Sequence, residues 1–128
     1  MPLDHVGIAT DDAAGLASLF SSLLDAPVVH EETFDGLQLT FIDLGDAELE
    51  LLEPLDDEGP VARFLARRGP GLHHVAVAVP DVTAALEAAA ALGLEAIDEA
   101  PRPGARGHSV AFLHPGSTGG VLVEFVER

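Results

Sequence analysis

Apolar positions in this chain come in short runs closed by turn residues, and the same run occurs twice. Leu72-His73-His74-Val75-Ala76-Val77-Ala78-Val79 is entered through Gly69-Pro70-Gly71 and stopped by Pro80-Asp81. A run of this length between such residues predicts a strand, with Asp81 placed to start a helix. Adjacent histidines on a strand point to opposite faces, so at most one of them shares a face with Leu72 and Ala76. Leu3-Asp4-His5-Val6-Gly7-Ile8-Ala9-Thr10-Asp11-Asp12 lays onto Leu72 through Asp81, with His5 over His74, Val6 over Val75 and Ile8 over Val77. A chain that opens each half with a histidine strand reads as a duplicated module.

The remaining pattern supports that reading. Leu16, Leu19, Phe20, Leu23 and Leu24 keep the helical period behind a cap at Asp11 or Asp12, and Ala26-Pro27 ends the helix. Strands are predicted over 28–33, 37–44 and 47–53, with Asp35-Gly36 as a hairpin turn and Pro54 closing the series. An acidic linker over 55–60 leads into a short helix over 60–68, with Pro60 at its first position and Val61, Phe64 and Leu65 on one face. The second half repeats the order. Asp81 caps a helix with Val82, Ala85, Leu86 and Ala89 on one face; a strand follows over 94–98, then a loop over 101–107, then a hairpin from 108–114 and 121–126. The expected fold is α+β: two tandem βαβββ modules, at about 1–55 and 71–128, joined by the helix in one domain.

Composition narrows the function. At 128 residues the chain suits one domain, and its 48% hydrophobic content excludes a disordered one. Its apolar runs are strand-sized or alanine-rich, so none is expected to span a membrane. The first strand begins almost at residue 1, which leaves no room for a signal peptide and predicts a cytoplasmic protein. Without cysteine there are neither disulfides nor thiolate metal sites. Acids number 22 and bases 6, a net charge of −16, and every base is arginine. Such a field opposes nucleic acid, whose binding depends on Lys/Arg contacts to phosphate. An acidic, lysine-free chain suits a salt-rich cytoplasm, where counterions screen self-repulsion.

The last strands of the modules also match: Leu49-Glu50-Leu51-Leu52-Glu53 lays onto Val123-Glu124-Phe125-Val126-Glu127. Glu50 and Glu124 stand among apolar residues, where an unpaired charge is costly. Alternation puts Glu48 on the face of Glu50, so it does not choose between them; the match between modules favours Glu50. Each module thus supplies one His and one Glu, a mixed N/O set suited to zinc, cobalt, manganese, nickel or Fe(II). Alone, each residue reads as a satisfied strand residue; their equivalent places in two copies point to a metal. His30 and His73 have no such counterpart and read as structural, while His108 and His114 flank a loop able to line a substrate channel.

A paired βαβββ chain with these residues resembles the vicinal oxygen chelate, or glyoxalase-fold, superfamily. Within it, LDHVGIAT, ELELLEPL, the run from Val61 through RRGPGLHHVAVAV, and EAPRPGARGHSVAFLHPGSTGGVLVEFVE resemble the methylmalonyl-CoA epimerase family over essentially the whole chain. The resemblance implies a curved mixed sheet around a metal cleft, with His5, Glu50, His74 and Glu124 as ligands of a cobalt, zinc, manganese or nickel ion. It implies an isomerase that interconverts the 2R and 2S epimers of methylmalonyl-CoA through an enolate. Glu124 is then the first candidate base, with Glu50, a water, Glu31 or Glu32 opposite it. Gln38, Arg102, Arg106 and Ser117 are expected to contact the acyl-CoA, and a homodimer is common in the superfamily. The chain departs from the family at Gly116, where many members carry lysine. It also has only Gln38 near a strand position where some members carry a basic glutamate. The alternatives are a lactoylglutathione lyase (glyoxalase I)-like isomerase and a non-enzymatic small-molecule binder of the same fold. An extradiol dioxygenase fits less well, because its 2-His-1-carboxylate triad has no fourth ligand.

Overall fold

The computed structural model describes all 128 residues. The elements are β1 (Leu3–Ala9), α1 (Ala13–Leu24), β2 (Val28–Phe34), β3 (Leu37–Asp43), β4 (Glu48–Pro54), α2 (Pro60–Arg68), β5 (Gly71–Val79), α3 (Val82–Ala91), β6 (Arg102–Pro103), β7 (Ser109–Leu113) and β8 (Val123–Glu127). They divide into two compact units.

The unit His5–His73 holds strands in the order β2-β3-β4-β1, with β1 parallel to β4 and the other pairs antiparallel. The Asp12 side chain caps α1 by accepting from Gly15 N at 3.0 Å. Ala13 and Ala17 pack with Ile42 and Leu51, joined by the half-buried Leu16 and Phe20. Leu19, Leu23 and Leu24, expected on that apolar stripe, stay exposed. The alanines bring the helix close to the sheet, so a narrow face is enough to fill the interface. Asp35 and Gly36 both have positive φ, 52° and 76°, which makes the tight hairpin the sequence predicts.

The unit of Met1–Asp4 and His74–Arg128 has the order β5-β8-β7-β6, with β5 parallel to β8. Its first four residues are fastened by Pro2 O, which accepts from Ala78 N at 2.9 Å, and by Asp4, which pairs with Arg128 at 2.7 Å. Asp81 caps α3 through Ala84 N. All four predicted residues of its face, Val82, Ala85, Leu86 and Ala89, are buried against Val79, Ala111, Leu113 and Phe125. Each Val or Leu buried there is worth about 1.5–3 kcal/mol.

A second device repeats between the units. Glu53 Oε1, at the end of β4, accepts from Ala13 N at 2.7 Å; Glu127 Oε1, at the end of β8, accepts from Val82 N at 3.0 Å. Each glutamate supplies an acceptor and a negative charge to the start of its helix.

The strand expected over 94–98 is replaced by a single bridge, Ala96 to Leu113, and the third pairing of this unit falls on Arg102–Pro103. Side-chain competition accounts for the change: the Asp98 carboxylate accepts from Phe112 N at 2.9 Å, taking a donor that a regular ladder would use.

Candidate functional site

Strand alternation and register decide what each unit presents. In the first, Phe41 is the partner of Glu50, and Leu39 of Leu52, so these four share the face of β3 and β4 opposite the α1 core. On β1, Gly7 is the partner of Glu50, which puts His5, two residues earlier, on the same face. His5 and Glu50 are both buried, and His5 Nε2 lies 3.2 Å from Glu50 Oε1. The Phe41 ring meets the His5 ring edge to face at 6.3 Å. Glu48, its rival from alternation, is only half-buried.

The other unit repeats this arrangement. His74 is buried on β5 beside Ala76, while Leu72 on the same face is exposed. Ala76 is the register partner of Glu124 and Phe112 is its partner on the other side. His74 Nε2 lies 3.2 Å from Glu124 Oε1, and the rings of His74 and Phe112 stand edge to face at 5.5 Å. A small residue, Gly7 or Ala76, thus lies next to each glutamate on the histidine strand, leaving room for carboxylate and imidazole to meet. The phenylalanines were not singled out from the sequence; their signal was their central place in the third strand of each copy.

The other expected site residues scatter. Arg102 is cross-strand to Val110, and Phe112 lies two residues along from Val110, so Arg102 shares the face of Glu124. Its guanidinium lies 5.5 Å from the Phe112 ring centroid and bonds Asp98 at 2.9 Å. Arg106 sits in a tight turn over Ala105–Gly107 with φ of 59°. Gly104, before that turn, is buried, and a Cβ there would stand 2.8 Å from Val110 Cγ1. Gln38 lies on the other side of β3 from Glu50: its register partner is Glu53 and its Oε1 accepts from Thr33 Oγ1 at 3.2 Å. Facing α1, it is not brought to the His5–Glu50 pair. Ser117 Oγ accepts from Glu95 N at 2.9 Å, a bond that secures the loop before β8. His114 Nδ1 accepts from Gly116 N, His108 Nε2 meets Arg128 at 3.1 Å, and the His73 ring meets Phe64 of α2 edge to face at 5.1 Å.

Residues 4–112 match the model of the glyoxalase/bleomycin resistance protein/dioxygenase superfamily. The chain belongs to that superfamily. Among superfamily members, the ethylmalonyl-CoA/methylmalonyl-CoA epimerase of Cereibacter sphaeroides is 36% identical over 95% of this chain and 94% of its own length. The crystal structure of methylmalonyl-CoA epimerase from Mycobacterium tuberculosis superposes with a TM-score of 0.94 at 35% identity, covering 98% of this chain and 87% of that one. A variant of the Streptomyces coelicolor methylmalonyl-CoA epimerase in complex with 2-nitronate-propionyl-CoA gives 0.93 at 31% identity, covering 99% and 96%. The superfamily fold is thus the α+β fold expected of the duplicated modules.

Proposed function

We propose that the protein is a metal-dependent epimerase that interconverts (2R)- and (2S)-methylmalonyl-CoA by moving the proton on C2. The observation that carries this reading is the recurrence of one buried His–Glu pair, backed by one phenylalanine, in each unit of a chain so similar to epimerases. His5, Glu50, His74 and Glu124 would hold one divalent ion, cobalt, zinc, manganese or nickel. The donor chemistry fits: His5, His74 and Glu124 are each buried and each offers one ligand atom, and Glu50 is the counterpart of Glu124. Two imidazoles and two carboxylates leave positions for substrate oxygens.

Such an ion, when bound, supplies positive charge that offsets the substrate carboxylate and stabilises an enolate at the thioester. Glu124, the buried carboxylate beside His74, would take the C2 proton. Arg102, on the face of Glu124 and already stacked on Phe112, is suited to an anionic group of the acyl-CoA; Arg106 is its companion in the same loop. The reading extends to one catalytic domain acting in the cytoplasm as a homodimer. The acidic, lysine-free composition suits function at high salt.

The test is epimerisation of each methylmalonyl-CoA epimer by metal-loaded protein, with metal content measured on the same sample. Equilibration of the epimers that is lost on chelation and restored by added ion is the expected result. Isomerisation of a glutathione hemithioacetal without epimerisation would assign the chain to glyoxalase I chemistry. Neither activity, with no metal retained, would favour a binding protein.

A further inference from the structure

Inversion at C2 needs proton carriers for both faces of a planar enolate, and Glu124 serves one. The other is best sought on the face of the first unit that carries Glu50. Strand β2 departs from simple alternation there. Its pairing with β3 steps from Val28–Ile42 to His30–Phe41, so one extra residue, Val29, bulges out. Without the bulge His30 would fall opposite Thr40, on the side of α1. With it, His30 and Glu32 share the face of Phe41, Leu39 and Glu50, and both are half-buried while Val29, Glu31 and Thr33 are exposed. Bulges of this kind re-aim side chains and are frequent beside active sites.

The two re-aimed residues form a pair. His30 Nε2 lies 3.0 Å from Glu32 Oε1, and the His30 ring packs on Phe41 at 5.8 Å. Phe41 is the register partner of Glu50. A carboxylate on Nε2 selects the tautomer that carries its proton there and leaves Nδ1 as the basic nitrogen. A base oriented by a second group is the usual signature of a proton-transferring residue.

We infer that His30 is the second catalytic proton carrier, with Glu32 as its positioning residue; this rests on the epimerase reading. In one direction the C2–H bond breaks, its electron pair stays on the substrate as the enolate, and the proton moves to Nδ1 of neutral His30. Protonated Glu124 then gives its proton to the opposite lobe of C2. One proton is taken and one given, and the reverse direction restores both groups.

The experiment follows inversion and C2 deuterium incorporation in D₂O from each epimer separately, on metal-loaded wild type, His30→Gln, Glu32→Gln, Glu32→Asp and Glu87→Gln. His30→Gln is expected to slow inversion by about 10²–10⁴-fold with metal content and KM unchanged. One epimer should still exchange C2 hydrogen with retention through Glu124, and the other should not. Glu32→Gln should lower kcat in the same direction, with partial recovery in Glu32→Asp; Glu87→Gln, on the exposed side of α3, should behave as wild type. Inversion at the wild-type rate in His30→Gln would overturn the inference, as would equal loss of exchange from both epimers. Wild-type protein that neither exchanges nor inverts would instead remove the epimerase reading on which it stands.

Discussion

His5 and Glu50 meet at 3.2 Å through Nε2 and Oε1, and His74 and Glu124 meet at the same distance through the same atoms. Buried charge is tolerated only where it is partnered. Each pair offers partnered donors of the kinds a divalent ion requires.

Replacing His5 or His74 by Ala should therefore abolish epimerisation and strip metal from the protein. The glutamate left behind loses a buried partner, a cost of about 1–3 kcal/mol. Elemental analysis beside thermal melting checks both effects; full metal and full turnover in His5→Ala would refute the ligand assignment.

Glu124→Gln keeps size while removing a basic carboxylate. Inversion should fall by about 10²–10⁴-fold even in samples that retain metal. Deuterium incorporation at C2, followed by mass spectrometry, is the measurement; wild-type incorporation from both epimers would move the base elsewhere.

Phe41 is buried and lies against both His5 and His30. Phe41→Leu should cost less stability than the about 3–5 kcal/mol expected of truncation to Ala, yet it frees both imidazole rings. The expected result is a lower kcat from a protein that melts within a few degrees of wild type.

Glu127 serves the fold. Glu127→Ala removes the acceptor at the start of α3 and should destabilise by about 1–2 kcal/mol, with turnover unchanged below the melting transition. Urea unfolding checks the first, and an unchanged midpoint would show the Val82 contact to be dispensable.

The net charge of −16 predicts a salt response. The melting temperature should keep rising with KCl past about 1 M, where the Debye length has already shrunk to about 3 Å. A flat profile from low to molar salt would count against the high-salt reading and leave the catalytic one intact.

The sequence by itself determined the duplicated module, because period-2 and period-3.6 patterns and Pro/Gly/Asp boundaries are local properties. The α3 face and the Asp12 and Asp81 caps were legible in this way. So was the candidate set His5, Glu50, His74 and Glu124, since equivalence between copies can be read without coordinates. Alternation alone did not decide Glu48 against Glu50, which share a face; the match between modules favoured Glu50, and burial agrees, Glu50 being buried and Glu48 half-buried. Gln38 was expected at the acyl-CoA from the resemblance, and it is register that puts it on the α1 side of β3. Asp98, whose carboxylate takes the Phe112 donor, disrupts a strand that propensity favours. The His30 bulge is the clearest case of a tertiary decision. One unpaired residue reverses the side to which every later position on β2 points, and that reversal depends on how β2 pairs with β3.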